Sequence, residues 1–436
     1  MTPAARLSAV IEILTDIGQS GRSADKVLEA WVRASRFAGS KDRAYVSERL
    51  YLVLRQRAAL AHAMASDAPR ALVFGSVRLF DHYDVDAISA LATGEGHAPA
   101  ILTDYEREAL EQAALPPATE KPWVRLNYPQ WLHPEFERAF GADLERQMEA
   151  MTARAPFDLR VNTLKTSREA AVLALEAEGL QPVPTHCSPW GLRFEKHPRI
   201  ASLESFKSGL VEVQDEGSQI ACLVANASPG EQVVDLCAGG GGKTLALAAM
   251  MKNRGQIFAA DINPARLARI RPRAERAGLR NVQYRQLSPF EPDGADSSMA
   301  DLEGRCDLVF IDAPCSGSGA WRRQPDARWR LTPEELERLT ALQDEVLARG
   351  ARLVKPGGRL VYVTCSLLPG ENEDRVAAFL GAHAGYAMEP WHTGWSADIP
   401  RPRGKGTGGR PDLRLTPANS ETDGFYVARM RRLGGA

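Results

Sequence analysis

Two cysteines close apolar runs in this chain. Cys365 ends GRLVYVT, and Cys315 lies three residues past Asp312, the last residue of CDLVFID. Short apolar runs of this kind read as buried strands, and open α/β sheets bind ligands outside the carboxyl ends of their strands. If the two strands are neighbours, two thiols and a carboxylate face one crevice. That set suits a particular chemistry. Carbon 5 of a pyrimidine is a poor nucleophile, but a thiolate added to carbon 6 makes it enolate-like and able to attack a methyl donor. An acid at ring nitrogen 3 eases the addition, and a second thiol can assist the final elimination. Position alone does not say which cysteine attacks. The default for any single cysteine is a small buried hydrophobe, and the other four stand at 187, 222, 237 and 306. No two of the six are spaced as CxxC, and the eight histidines show no ligand spacing, so no metal site is expected.

A second feature is DLCAGGGGKTLAL, residues 235–247. Gly242, Lys243 and Thr244 match the end of a phosphate-binding loop, G-x-x-x-x-G-K-[ST], but Cys237 stands where that loop opens with glycine. The alternative is a Rossmann-like loop, whose glycines let backbone approach a ligand. Such a loop needs an acid about 20 residues on for the cofactor's ribose. Asp261 closes QIFAAD, 19 residues after Gly242. Glycine loop and acid together fit an adenosine cofactor without a pyrophosphate, which points to S-adenosylmethionine.

These residues need a scaffold. From about 230 the runs QVVDL, QIFAADI, NVQYRQL, CDLVFID and GRLVYVT alternate with helical patterns, and GFYVARMRR reads as a last strand. That is a parallel sheet with covering helices. Residues 1–140 read as an all-α domain from AARLSAVIEILTDI, KVLEAWVRASRF and DRAYVSERLYLVLRQRAALAHAM. Residues 141–228 read as a small α+β module, with DLRVNTL, GLRFEK and LVEVQDEG as strands. Residues 229–436 carry the α/β catalytic domain. RPRGKGTGGRP, 401–411, reads as a mobile loop, and Pro272 is expected to kink or interrupt the helix after Asp261.

A chain of 436 residues with 44% hydrophobic and 25% charged residues is globular and multidomain. Its formal charge of -1 excludes nothing, because a balanced total hides local patches. No run is long enough to span a membrane, and no signal peptide opens the chain, so a cytoplasmic protein, expected to be a monomer, is the reading. Two runs are basic. Residues 266–285 hold seven arginines, a stripe that suits RNA phosphates or simply a solvated helix face. WRRQPDARWR, 321–330, interleaves Arg322, Arg323 and Arg328 with tryptophans, as contact with phosphates and unpaired bases requires. Lys165 in VNTLK is a further candidate for a phosphate.

DLCAGGGGKT, DAPCSGSG and VTCSLLPGENE resemble the signature motifs of the Sun/Fmu (RsmB-type) RNA cytosine-5 methyltransferases. LRVNTLK, VQDEGSQIA, RRQPDARW and DGFYVARM extend the resemblance over about 150–431, and GSKDRAYVSERLYLVLR resembles a NusB-like helical RNA-binding domain. The resemblance implies a Rossmann-like methyltransferase domain using S-adenosylmethionine, with ribosomal RNA as partner and the target cytosine single-stranded or flipped out. It implies that Cys365 is the nucleophile, that Cys315 promotes product release, and that Asp312 hydrogen-bonds the cytosine beside the methyl donor. Cys237, Ala238, Gly239, Gly240, Gly241, Gly242 and Lys243 would run along the methionine part of the cofactor, and Asp261 would hold its ribose. There are departures. The usual loop is C-A-A-P-G-G-K, so the glycines at 239 and 240 should loosen it, and Leu287–Ser288 stand where an adenine-side Gly-Asp is usual. Transfer RNA as substrate, a non-catalytic RNA-binding assembly factor and a nucleotide hydrolase are the alternatives.

Overall fold

The structure, a computed structural model, describes residues 1–289, 297–403 and 409–434. Residues 404–408 of the expected loop at 401–411 lie outside the described residues. The chain divides into two compact units, Met1–Arg154 with Trp321–Thr332, and Ala155–Ala320 with Pro333–Ala436. Against expected breaks at 140 and 228, the helical unit runs on to Arg154 and recruits a later segment. The small α+β module shares the second unit with the catalytic sheet.

The first unit is helical. Thr2 caps the opening helix, Pro3–Ser20, by accepting from Ala5 N, and Pro3 sits in the first turn, where its missing N–H costs nothing. Leu7, Val10, Leu14 and Ile17 recur at helical spacing and are buried in one core with Leu50, Val53 and Phe74. The sequence reads 42–64 as one helix, but it breaks at Gln56 into Ser40–Arg55 and Arg57–Ala63. Asn127 Oδ1 accepts from Ala59 N at 3.0 Å, satisfying a donor freed by that break.

The recruited segment corrects a sequence expectation. Trp321 is fully buried and packs edge-on against Phe136, with ring centroids 5.9 Å apart. Arg328 is also fully buried, donating to Asn127 O at 2.7 Å and Met151 O at 3.4 Å above the Trp321 ring. Burial, with the charge of Arg55, pushes its pKa down to about 9. Trp329 Nε1 donates to Leu54 O, and Asp326 Oδ2 accepts from Ala24 N. Arg322 is buried as well, whereas Arg323 is half-buried. Arg328 and Arg322 are therefore not surface contacts for RNA phosphates. Arginine beside tryptophan here builds the inside of the helical unit.

The second unit holds two sheets. The smaller is antiparallel, of order β2-β3-β1-β4, from β1 (Phe157–Val161), β2 (Val183–Pro184), β3 (Gly191–Phe194) and β4 (Val211–Val213). Helix Arg168–Ala177 contributes Ala171 and Leu175 to its core, against Leu159, Leu192 and Val211.

The larger sheet comprises β5 (Gln232–Leu236), β6 (Gln256–Asp261), β7 (Val282–Gln286), β8 (Cys306–Asp312), β9 (Val354–Thr364), β10 (Tyr386–Glu389), β11 (Leu413–Leu415) and β12 (Phe425–Arg432). Its order is β10-β12-β9-β8-β5-β6-β7, with β11 paired to β12. The strands from β5 to β9 run parallel, while β12 lies antiparallel to β9. Every residue of β5 after Gln232 is buried, as a strand covered on both faces requires. The chain moves outward from β5 to β6 and β7, then returns to β8 on the other side of β5. That reversal opens a crevice at the carboxyl ends of β5 and β8.

Helix Pro264–Ala277 follows β6 and runs through Pro272 without interruption, contrary to one half of the expectation. Asn263 caps its first turn by accepting from Ala265 N and Arg266 N, and Leu267, Ile270, Ala274 and Ala277 are buried on both sides of the proline. Packing along that whole face outweighs the loss of one backbone donor.

Candidate active site

β8 and β9 are hydrogen-bonded neighbours, so the loops after them emerge side by side. Cys315 Sγ and Cys365 Sγ stand 3.4 Å apart, both partly exposed. Cys315 is held well above the ordinary thiol range, first by its hydrogen bond to Cys365, then by burial and by the negative charges of Cys365 and Glu371. Asp312 closes β8, and its Oδ2 accepts from Lys243 Nζ at 2.7 Å. Burial works against the lysine's charge, but the Asp312 carboxylate outweighs it and raises the Lys243 pKa. The ammonium also lies 5.5 Å from the centre of the Phe425 ring. Thus the loop lysine, the β8 acid and the thiol pair belong to one site.

The glycine loop joins β5 to helix Gly242–Met250. Cys237 opens it with φ +68°, an unusual conformation for a residue with a side chain. Gly239 N donates to Asp261 Oδ2 at 2.9 Å, so the loop is already bonded to the acid expected to meet a ribose. Ala238 N donates to Ala260 O, Gly241 N to Ala238 O, Arg273 to Gly240 O, and Arg160 to Gly242 O. Bonded in this way, the loop has defined anchors despite its additional glycines.

The loop has features that an adenosine cofactor needs. A Cβ built on Gly239 would meet nothing closer than 3.9 Å, and one on Gly242 nothing closer than 3.8 Å, so the backbone there is not crowded by neighbouring atoms. Helix Gly242–Met250 presents the free N–H groups of its first turn at the end of the loop. Below it, buried Asp235 accepts from Thr244 Oγ1 through Oδ2 and leaves Oδ1 without a partner. Burial pushes that carboxyl up to about 7. Asp261 retains acceptor capacity beyond its bonds to Gly239 N and Asn263 N. These residues fit the cofactor. On the adenine side, Leu287 is buried and Ser288 O accepts from Arg349, with no carboxylate at either position.

Gly239 and Gly241 both have positive φ, and Gly241 is also crowded. Its φ is +80°, and an added Cβ would lie 2.7 Å from Ile270 Cγ2. Gly241→Ala should cost about 1–2 kcal/mol from the left-handed backbone alone, and the overlap adds to this. Gly240 lies outside the left-handed region and an added Cβ comes no closer than 3.4 Å to Arg273 Nη1, so Gly240→Ala should be nearly neutral. Urea unfolding of the two variants measures the difference, and equal losses would refute it.

Sequence reasoning missed Glu371, Asn372 and Gln343, although the first two stand in the quoted VTCSLLPGENE. Glu371 is completely buried and accepts from Ser316 N, Ser316 Oγ, Ser366 Oγ and Gln343 Nε2. Asn372 Nδ2 donates to Ser366 O, while its Oδ1 accepts from Thr364 Oγ1. A polar residue six positions past a candidate nucleophile was the available signal. Of the candidate RNA residues, Lys165 Nζ donates to Ser208 O and Arg276 O, the latter a carbonyl at the end of helix Pro264–Ala277. Among the described residues no group of histidine, cysteine, aspartate and glutamate could hold a metal ion, and no helix is long and apolar enough to cross a membrane.

A sheet of this order, with a glycine loop after β5, an acid closing β6 and the thiol pair beyond β8 and β9, defines an α/β methyltransferase with a Rossmann-like core. Residues 222–431 match the family described as 16S rRNA methyltransferase RsmB/F, and residues 128–201 match that family's ferredoxin-like domain. The chain belongs to the RsmB/F family of ribosomal RNA methyltransferases. A probable ribosomal RNA small subunit methyltransferase B from Synechocystis is 34% identical over 313 residues, covering 71% of this chain and 67% of that one. The crystal structure of PH0851 covers 99% of both chains with a TM-score of 0.75 at 26% identity. A methyltransferase homolog protein from Pyrococcus horikoshii covers 73% of this chain and all of its own, with a TM-score of 0.60 at 30% identity.

Proposed function

We propose that this RNA methyltransferase transfers a methyl group from S-adenosylmethionine to carbon 5 of a cytosine in ribosomal RNA through a covalent cysteine adduct. The observation that carries this reading is the pair of thiols 3.4 Å apart, beside the Asp312–Lys243 ion pair. A base methylated on nitrogen or oxygen needs no nucleophilic thiol, whereas carbon 5 does.

The glycine loop from Cys237 to Lys243 and the first turn of its helix line the methionine end of the cofactor, and Asp261 takes the ribose hydroxyls. The bound cofactor supplies an electrophilic methyl group. Cys365 Sγ bonds to carbon 6, and the carbon 5–carbon 6 pair of electrons becomes nucleophilic at carbon 5. Asp312, held by Lys243, meets the edge of the base that carries nitrogen 3. After transfer a base removes the carbon 5 proton, its electrons restore the double bond, and Cys365 leaves as thiolate. Cys315, in contact with Cys365, assists that last step.

RNA approach is supported by Arg266, Arg269, Arg271 and Arg280, which are exposed on and just beyond helix Pro264–Ala277, whereas the exposed Lys165 spends its ammonium on Ser208 O and Arg276 O. Arg273 and Arg276 are instead committed to Glu212. A ribosomal RNA substrate fits action in the cytoplasm. Nucleotide hydrolysis has no support, because Lys243 turns onto Asp312 and the family is one of methyltransferases.

The test is transfer of labelled methyl groups to RNA from cells lacking the gene, followed by digestion to nucleosides. Label in 5-methylcytidine from the small-subunit RNA is expected. Label in another nucleoside, or in none, would sink the reading.

A further inference from the structure

Glu371 lies in the one-turn helix Pro369–Glu371, six residues beyond Cys365, and no part of it reaches solvent. Its Oε1 accepts from Ser316 N at 2.8 Å and Gln343 Nε2 at 3.0 Å. Its Oε2 accepts from Ser316 Oγ and Ser366 Oγ, each at 2.5 Å. Ser316 directly follows Cys315, and Ser366 directly follows Cys365. One carboxylate therefore holds the residue after each thiol.

The remaining partners reinforce the same arrangement. Gln343, on helix Pro333–Leu353, also donates to Pro314 O at 2.9 Å, so Cys315 is tied on both sides. Ser318 Oγ lies 3.0 Å from Ser366 Oγ and accepts from Leu367 N, while Gly319 N donates to Cys365 O. The four donors to Glu371 are neutral, and among the described residues it has no ion-pair partner, so its charge is shared out over hydrogen bonds. A buried carboxylate is expensive to desolvate. A polar but uncharged residue would have joined these loops at lower cost, so the charge itself needs a use.

We propose that Glu371 is a positioning residue for the thiol pair: its carboxylate, bonded to the residue after each thiol, fixes Cys315 and Cys365 against each other and sets a negative charge beside the Cys315 loop. Resting on the methyltransfer reading above, this adds how one of two adjacent thiols becomes the nucleophile. A negative charge next to the Cys315 loop disfavours a second negative charge on Cys315. Cys315 therefore holds its proton the more firmly. The other charged and titratable groups beside the pair are Lys243 with its ion-pair partner Asp312, and Tyr362, whose OH donates to Glu371 O. Burial and the neighbouring negative groups hold Tyr362 in its neutral form.

Glu371→Gln keeps the size and removes the charge; its amide oxygen can still accept from Ser316 N and Gln343, and the Ser316 and Ser366 hydroxyls must turn to accept from its NH2. Brief iodoacetamide treatment across a pH series, with peptide mapping, reads the alkylation of each cysteine without RNA or methyl donor. In the unaltered protein Cys365 should react first. In Glu371→Gln, Cys315 should become reactive about one pH unit lower, which reduces the preference for Cys365 about tenfold. Gln343→Met removes a tie without changing charge, so it should lower methyl transfer by up to about 100-fold through misplacement and leave the alkylation profile of Cys315 in place. An unchanged Cys315 profile in Glu371→Gln, with or without lost stability, would overturn the proposal. Absence of RNA methylation by the unaltered protein would overturn the functional reading instead, and the two failures are read in separate assays.

Discussion

Cys315→Ala should leave RNA covalently attached to the protein after incubation with methyl donor, whereas Cys365→Ala should form no adduct and lose at least about 10⁴-fold in turnover. The asymmetry follows from the contact between the sulfurs. While Cys365 is free, the hydrogen bond between the thiols and the charge of Cys365 keep Cys315 protonated. Once Cys365 Sγ is bonded to carbon 6, that charge is gone and the largest influence holding the proton on Cys315 goes with it. Cys315 is then free to ionise at the stage when a base must take the carbon 5 proton. Removing it leaves addition and methyl transfer intact and stalls elimination. Denaturing gels of the two variants with labelled RNA read the result directly. An adduct with Cys365→Ala but not with Cys315→Ala would exchange the two roles.

Asp312→Asn should cost both stability and activity, and a second substitution should restore only one of them. The Lys243 side chain is 13% exposed and that of Asp312 is 32% exposed. Breaking a fully buried pair costs about 3–5 kcal/mol. Partial solvation of Asp312 reduces the expected loss to about 1–3 kcal/mol. Lys243→Met in the Asp312→Asn background removes the stranded cation, so most of the stability should return. Methyl transfer should stay down by about 10²-fold or more, because the group facing the base is still altered. A double-mutant cycle of urea midpoints and turnover separates the two effects. Recovery of activity together with stability would show that the ion pair serves only the fold. The pH dependence has a definite sign. The folded-state pKa of Lys243 is raised, so the pair's stabilisation is complete below the ordinary lysine value near 10.5 and is lost only as pH rises through the higher folded value.

Much of the catalytic unit was legible because its signals are local. QVVDL, QIFAAD, CDLVFID and GRLVYVT are apolar runs of strand length, and each forms the strand it predicts. The glycine loop and Asp261 are set by spacing along two successive strands, and the hydrogen bond between Gly239 and Asp261 joins them. WRRQPDARWR was misleading for a related reason. Its composition is the same whether arginine and tryptophan face RNA or a protein interior, and only packing against Phe136, Asn127 and Leu54 decides between them. Pro272 likewise reads as a break until the helix face around it is seen to be buried.

Residue type and order along the chain determined a parallel α/β sheet, a glycine loop that departs from the phosphate-loop pattern at Cys237, and two thiols with an acid at strand ends. Tertiary structure decided that β8 and β9 pair, which brings cysteines 50 residues apart into contact. It also placed the carboxylate of Glu371 across both cysteine loops and took Arg328 out of solvent. The division has a physical cause. Periodicity and turn chemistry act over a few residues and are written in the local sequence. Strand pairing, burial and the partner of a buried charge depend on the free energy of the whole packed unit.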